Sequence, residues 1–539
     1  MLLRDMLFQA AERFPDREAV VDGDRRVTYD ELWREVRRLA AWLSKRGFRT
    51  GDRLAIGMCN SLDHVKVLMA CQTLGVGAVP FNIRLKPGGI VHILRDCGAR
   101  GVVVDHSVDL GALRGHAEAP QDIVWVDAAA DARAAQDGVL GYHDHRAAEP
   151  LTDLPKLSRD TISAIIYTSG TTGRPKGVHL TQRNAYSRLV TYVMSVGPTF
   201  DSGARTLGAA PLYHTVGMHW VFLQTLFVNG TYYPVAKVSE ETTRLIDTEG
   251  ITFIFGSPTL LKMIMGSGGY RTFPSVRHIS YGSAPAEPEL LESMYLQFPN
   301  ASISEVYGTT ELSIPFVTPD MRGLKPGTLR RTGDFRVRVV QPGGEPDDVV
   351  RPGELGELIV HLANPGVFSG YWGPEGEARL AEKRVGEWFR TGDGFRYDAE
   401  SSFYFDGRLD DMFVSGGENI QPAEVENTIN GMEGVVDCAV IAVPDPLWSN
   451  VVTAFIVTDG RNLDAAAVDA HCRASDLEDY KRPRKVFFVP EIPRNPSGKI
   501  VRSEVRKRFA DLLAAATGHR DESRVEVSSP AAAVAEAAR

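Results

Sequence analysis

The chain has 539 residues, 43% hydrophobic and 24% charged, with a formal net charge of −9. That length exceeds what one hydrophobic core serves and predicts several packed units. The acidic balance argues against a nucleic-acid-binding face, and no apolar run approaches the roughly 20 residues that a membrane-spanning helix needs. Asp5 interrupts the first residues, so the N-terminus does not read as a secretion signal; Cys59, Cys71, Cys97, Cys438 and Cys472 lack C-x-x-C spacing and read as reduced thiols of a cytoplasmic protein.

In chain order, Thr28-Tyr-Asp-Glu31 is a capping box that opens a helix with the apolar stripe Leu32, Val36, Leu39, Ala40 and Leu43. Arg53–Gly57 reads as a strand, Leu62–Leu74 as a helix, and Ala78–Phe81 as the next strand. Residues 105–150, rich in Ala and Asp, are expected to be an irregular peripheral segment. Ile162, Ala164, Ile165 and Ile166 make a buried strand that runs into Tyr167-Thr-Ser-Gly-Thr-Thr-Gly-Arg-Pro-Lys-Gly-Val178, with a helix expected from about Arg183 to Val193. Strands follow at Arg205–Pro211, Ile251–Phe255 and Val276–Tyr281, then a helix at Glu287–Phe298. This alternation predicts an α/β fold with mainly parallel sheet. Between Arg330 and Phe405, short period-two strands broken by Pro-Gly and Gly-Gly turns predict a small β-rich subdomain. Past Gly407-Arg-Leu-Asp-Asp411 a compact α+β pattern begins, with helices from Pro422 to about Met432 and from Leu463 to Cys472. Its strands are expected at Val435–Val443, Val451–Val457 and Lys485–Val489. The domains are therefore set at 1–409 and 410–513, with a disordered Ala- and Ser-rich tail at 514–539.

The 167–178 run carries the most chemistry. Small side chains expose backbone N–H groups, and together with hydroxyls and one Lys they suit a polyphosphate in a strand–loop–helix setting. It is not the P-loop of G-x-x-x-x-G-K-[ST], because Pro175 precedes Lys176 and Gly177 follows it. No G-x-S-x-G is present, which disfavours a serine hydrolase.

The run resembles the signature of the adenylate-forming superfamily: acyl-CoA synthetases, peptide-synthetase adenylation domains and luciferases. Five further segments resemble that family's motifs, in its order: Pro211-Leu-Tyr-His-Thr-Val-Gly217, Tyr307-Gly-Thr-Thr-Glu311, Trp388-Phe-Arg-Thr-Gly-Asp393, Gly407 to Ile420, and Pro493-Arg-Asn-Pro-Ser-Gly-Lys499. The resemblance spans about residues 5 to 510. It implies a large N-terminal domain and a small mobile C-terminal one. It also implies a two-step reaction: a carboxylate attacks the α-phosphate of ATP, and the thiol of coenzyme A then displaces AMP.

What the resemblance implies for single residues follows. Thr168, Ser169, Gly170, Thr171, Thr172, Gly173 and Lys176 would cradle the β- and γ-phosphates. Glu311 would help hold Mg²⁺, which favours oxygen ligands, and Thr310, within Gly308-Thr-Thr310, would touch the α-phosphate. Tyr307 would stack on adenine, with Gly282, Ser283 and Ala284 as the opposite wall; Asp393, assisted by Arg408, would take the ribose hydroxyls. Lys499 would bridge the attacking carboxylate and the α-phosphate, and Asp410 would be the hinge that swings it away. Gly416 and Gly417 would then line the pantetheine path. Tyr480, Arg482 and Arg484, with Trp448 nearby, suit the adenine and phosphates of coenzyme A.

The acid pocket is expected to include Tyr186, Thr191, His214, Thr215, Val216, Met218 and Ser313. His214 would gate or line it. No Lys, Arg or Asp stands out in these segments, so the acid's tail is expected to be apolar. Similarity of the second half to 4-chlorobenzoate-type aryl-CoA ligases favours a substituted benzoate or other aryl acid. A medium- or long-chain fatty acid is the alternative; a luciferase-like oxygenase and a non-catalytic nucleotide-binding protein are remoter ones. Partners are thus the acid, ATP and coenzyme A, with no nucleic acid and no integral membrane association; a homodimer stays open. His143-Asp-His145 has no third ligand nearby and reads as a metal decoy, and His519-Arg-Asp521 as a kinase one.

Overall fold

Gly101-Val-Val-Val104 and Gly77–Pro80 are buried along their whole length and Arg53–Gly57 nearly so, as strands covered on both faces must be. The computed structural model describes residues 1–517 apart from 130–137, 169–174, 198–200, 268, 270, 284, 285, 287, 334, 410, 411, 421, 494–499 and 501. Contacts divide the chain into two compact units. Met1–Ile83, Ile90–Thr168 and Lys176–Gly407 form one; the chain from Arg408, with Arg84–Gly89, forms the other.

The first unit holds two large sheets. One has seven strands in the spatial order Val139–Gly141, Val124–Asp127, Gly101–Val104, Arg53–Gly57, Gly77–Pro80, Ile162–Thr168 and Lys176–Thr181. All neighbours are parallel except the last pair. The segment expected to be irregular therefore supplies the edge strand, the strand beside it and a short helix, Leu110–Arg114. The apolar triplets Val124-Trp-Val126 and Val139-Leu-Gly141 are too short to stand out from the polar residues around them.

The second sheet has eight strands, from Ser313–Thr318 through Ser302–Thr309, His278–Tyr281, Phe253–Gly256, Arg205–Gly208, Thr231–Pro234 and Glu18–Asp22 to Arg25–Thr28. Its six inner strands are parallel, and both edge pairs are antiparallel. The helices between the sheets follow the local signals. Thr28 and Glu31 cap Tyr29–Lys45 reciprocally, through Thr28 N to Glu31 Oε2 at 2.9 Å and Glu31 N to Thr28 Oγ1 at 3.3 Å. Ser61 caps Leu62–Leu74, and Gly75 ends it at φ 71°. An antiparallel sheet built from strands between Leu329 and Arg408 is the β-rich subdomain.

In the second unit, Val435–Asp445 pairs antiparallel with Ser449–Thr458, and Lys485–Phe488 adds in parallel. Helices Pro422–Asn430 and Ala465–Ala474 bury Val425, Ile429, Val468 and Cys472 on one side of this sheet. Val505 and Phe509 pack with Phe455 and Phe487 on the other. Helix Ala510–Thr517 carries regular structure past Ala514, where the tail was expected to begin; residues 518–539 lie outside the described ones.

Candidate active site

The strand–loop–helix expectation for the glycine-rich run needs correction. Thr168 pairs with Lys176 and Tyr167 with Gly177, so the run is the loop of a β-hairpin, and helix Gln182–Val196 starts only after the return strand. The return strand forms because Val178 and Leu180 alternate into the core while His179 stays half-buried. Ser169, Gly170, Thr171, Thr172 and Gly173 lie outside the described residues. Lys176 is buried, with its Nζ 5.8 Å from the ring centre of Tyr371. Burial, then neighbouring Lys383, pushes its ammonium down, while Glu311 opposes the shift.

Of the residues expected at the nucleotide, Gly282 and Tyr307 lie at the carboxyl ends of parallel strands, where open α/β sheets bind ligands. Gly282 follows strand His278–Tyr281, and a Cβ there would stand 2.6 Å from the Val306 carbonyl oxygen. Only glycine lets these two strand ends approach so closely. Ser283 next to it is exposed and sits at φ 72°; Ala284 is outside the described residues. Gly308 similarly lies where a Cβ would meet the Ser313 carbonyl oxygen at 2.1 Å.

Tyr307, expected to stack on adenine, is also tied to another site residue. Its hydroxyl donates to Asp393 Oδ2 from the neighbouring β-rich subdomain. Phe395 holds its ring edge-on at 4.8 Å, and Phe316 and Phe405 lie at 5.8 and 5.9 Å. Asp393 is 3% exposed, and its backbone N–H donates to Thr391 Oγ1 at 2.9 Å. A buried carboxylate on a fixed backbone suits a diol. The side chain of Arg408 is not described.

Glu311 follows Thr309-Thr310 in a turn. Its Oε1 accepts from the Tyr371 hydroxyl at 3.0 Å, and its carbonyl accepts from Phe368 N at 2.8 Å. An anchored carboxylate oxygen fits Mg²⁺, which prefers carboxylate, water and phosphate oxygens. Behind this turn stands Arg188, 0% exposed, which the sequence reading missed. Its Nη2 donates to Thr310 O at 2.7 Å and lies 3.5 Å from Glu311 O; its Nε donates to Gly366 O at 2.7 Å, and its Nη1 to Thr215 Oγ1 at 3.2 Å. Burial pushes its guanidinium down to about 9, against the pull of Glu311. A signal existed: Ala185, Arg188, Leu189 and Tyr192 form the buried stripe of their helix, and Arg188 is the charged member.

The acid-side segment is not an extended stretch. Val216–Leu223 is a π-helix, a form concentrated at functional sites, and its residues from Gly217 on are buried. Gly217 permits it, since a Cβ there would meet the Pro211 carbonyl oxygen at 2.1 Å. His214 N donates to Pro211 O at 3.0 Å, and the His214 ring lies 4.7 Å from Tyr213. Thr215 Oγ1 contacts both Arg188 and, at 3.2 Å, His219 Nδ1. Thr191 donates its hydroxyl to Ser187 O at 2.8 Å, and Met218 is buried. Ser313 is 1% exposed at φ 68°, a left-handed conformation costly for serine, and its Oγ finds no hydrogen-bond partner among the described residues. Tyr186 packs on Phe227 at 5.8 Å.

In the second unit, Gly416, Trp448 and Arg484 come together. Gly416 N donates to Trp448 O at 2.9 Å, a Gly416 Cβ would meet the indole at 2.5 Å, and the Arg484 guanidinium lies 5.2 Å from that ring. Trp448 is 37% exposed, and Gly417 is exposed at φ 85°. Arg482 is engaged in ion pairs by Asp469 and Asp479. Lys481 is likewise held by Glu424 and Glu478, and Tyr480 packs against the core. Asp410 and Lys499 lie outside the described residues.

All five cysteines are free thiols, and among the described residues no cluster could hold a metal through His, Cys, Asp and Glu alone. His145 of the His-Asp-His decoy is turned to Tyr142 O at 2.8 Å. No described helix is long and apolar enough to cross a membrane.

The site thus brings together glycines at parallel-strand ends, the buried carboxylate of Asp393 and the anchored carboxylate of Glu311 in an α/β fold. Comparison with known proteins supplies the family. Residues 7–372 match the AMP-binding enzyme family, and residues 424–499 match the AMP-binding enzyme C-terminal domain. A feruloyl-CoA synthase of Amycolatopsis sp is 38% identical over 514 residues, covering 93% of this chain and 97% of that protein. A 4-chlorobenzoate–CoA ligase of Arthrobacter sp is 31% identical, covering 93% and 94%. The solved o-succinylbenzoate CoA synthetase of Bacillus subtilis, bound to a product analogue, superposes with a TM-score of 0.80 at 28% identity, covering 93% of this chain and 98% of that one. The chain belongs to the AMP-binding enzyme family, and it is an acid–thiol ligase that uses ATP, Mg²⁺ and coenzyme A.

Proposed function

We propose that the acid is an aryl carboxylate, a substituted benzoate or a cinnamate-like acid. What supports this reading is the character of the side chains expected to line the acid pocket. It combines the aromatic Tyr186, Tyr213 and His214 with the apolar Val216 and Met218, and Arg188, the cation beside it, is taken up by backbone and hydroxyl oxygens. Such a wall favours a flat apolar ring over a charged tail. That relatives are named for feruloyl and 4-chlorobenzoyl thioesters supports the same choice.

In this reading the carboxylate oxygen attacks the α-phosphorus, the bond to the β-phosphate oxygen breaks, and pyrophosphate leaves. Lys499 orients the two anions and neutralises their charge, Thr310 contacts the α-phosphate, and Glu311 would hold Mg²⁺, which would supply positive charge to the phosphates. Asp393 fixes the ribose, with Tyr307 fixing Asp393. Rotation at Asp410 then exchanges Lys499 for the Gly416-Gly417 segment, the coenzyme A thiolate adds to the acyl carbon, and AMP leaves. Trp448 and Arg484 receive the nucleotide end of coenzyme A.

The test is a panel of ferulate, 4-chlorobenzoate, benzoate and octanoate, compared by kcat/KM for thioester formation. An aryl acid ahead of octanoate is expected; octanoate ahead of every aryl acid would overturn the choice and assign a fatty acid instead.

A further inference from the structure

Arg188 has a burial that demands a reason. An ionised group taken wholly out of water costs several kcal/mol unless it is paired and fully hydrogen-bonded. Here every acceptor is uncharged: the carbonyl oxygens of Gly366, Thr310 and Glu311 and the hydroxyl of Thr215. Packing alone would be served better by an apolar residue at this position of the stripe.

The partners explain the placement. Thr310 and Glu311 form the turn expected to face the α-phosphate and its magnesium. Thr215 opens the acid-side π-helix, and Gly366 lies across from both. Gly366 sits at φ 81°, and a Cβ there would stand 2.9 Å from Arg188 Cγ and 3.2 Å from Ser313 Oγ, so only glycine lets the backbone come this close to the Arg188 side chain. Three segments far apart in sequence thus meet on one rigid planar fork, whose donors point in fixed directions as a lysine's do not. Thr215 Oγ1, which accepts from Arg188, also lies 3.2 Å from His219 Nδ1. Burial, reinforced by Arg188, keeps His219 neutral.

We propose that Arg188 is a positioning residue of the adenylation step: it registers the phosphate-side turn, Thr310–Glu311, against the acid-side segment at Thr215, and its buried charge is the standing counter-charge toward which the carboxylate and the α-phosphate are drawn. This rests on the adenylate-forming reading above. It adds a buried cation that fixes the spacing between two segments expected to bind the substrates.

The experiment compares wild type with Arg188→Met, Arg188→Lys and Thr215→Val. It uses acid-dependent ATP–pyrophosphate exchange and, separately, thioester formation from coenzyme A and pre-made adenylate of the panel's best acid. Arg188→Met is expected to lower the exchange kcat about 100-fold, the loss typical of an ångström-scale misplacement. Thioester formation from supplied adenylate should stay within a few-fold of wild type. Arg188→Lys, which keeps charge but not the fork, should recover part of the exchange rate. Thr215→Val, which cuts only the acid-side arm, should raise the KM for the acid and leave that for ATP unchanged. Exchange unaffected in Arg188→Met, or both half-reactions falling together in a folded protein, would overturn the proposal. Should Arg188→Met not fold, the Thr215→Val split decides: equal changes in both KM values, or none, would refute it. Wild type lacking exchange with every acid would instead refute the underlying reading.

Discussion

Tyr307→Phe removes one oxygen from the site and leaves its ring in place. Phe316, Phe395 and Phe405 hold that ring with centres 4.8 to 5.9 Å away, so no cavity opens. What is lost is the donor to Asp393 Oδ2, on a carboxylate only 3% exposed. A hydrogen bond to a charged group contributes about 1.5–3 kcal/mol, and water has little room to replace it here. Thr391 still fixes the Asp393 backbone through its 2.9 Å bond, so the carboxylate stays near its place but is free to turn. If about half the loss reaches the ribose contact, ATP binding weakens by about 1 kcal/mol, or about fivefold in KM. The rest appears as a melting temperature lower by a few degrees. The assay is ATP–pyrophosphate exchange with the KM for ATP and for the acid measured separately, beside a thermal melt. A KM for ATP unchanged within twofold while the melt falls would show that the Tyr307–Asp393 bond serves folding alone. A change confined to the KM for the acid would place this pair on the wrong side of the site.

Lys499→Ala is expected to abolish adenylate formation while leaving thioester formation from supplied adenylate largely intact, read by exchange and by thioester yield; equal loss of both would remove its assigned role. Trp448→Ala removes the ring that carries Arg484 and covers Gly416. It should raise the KM for coenzyme A a few-fold, as about 1 kcal/mol of cation–π energy implies, without touching exchange. His64 and His278 are buried, and burial pushes each down to about 4 from an ordinary 6.5. Depressed values for a base mean that acid favours the unfolded chain. Stability is therefore full above pH 6.5 and falls between 6.5 and 4, by about 2 kcal/mol per histidine at pH 5. Melting at pH 7 and pH 5 should show this, and His278→Gln should shrink the difference; an undiminished difference would show that His278 contributes nothing to it.

Long, strongly periodic elements were legible in the sequence, because capping residues and apolar stripes act locally. Thr28–Glu31, Leu62–Leu74 and the paired strands after Val435 all fall where the pattern puts them. The return strand Lys176–Thr181 was missed, because Pro175 and Gly177 obscure a six-residue alternation beside a helix signal. The π-helix Val216–Leu223 has no period of its own in a run that is apolar all round. For the site, the motifs named Tyr307, Glu311 and Asp393, yet nothing in one dimension joins Tyr307 to Asp393, 86 residues on. Arg188 and Tyr371 stand outside the motifs and act through carbonyls and a hydroxyl, which leave no compositional trace. Arg482 shows the converse, a charge that fits a ligand by composition and is already paired in the fold.

The most direct test of the central claim is product stoichiometry with wild-type protein, ATP, Mg²⁺, coenzyme A and ferulate or 4-chlorobenzoate. The expected result is one AMP, one pyrophosphate and one aryl-CoA thioester per acid consumed. ADP and phosphate in place of AMP and pyrophosphate, or AMP released with no thioester from either aryl acid, would contradict it.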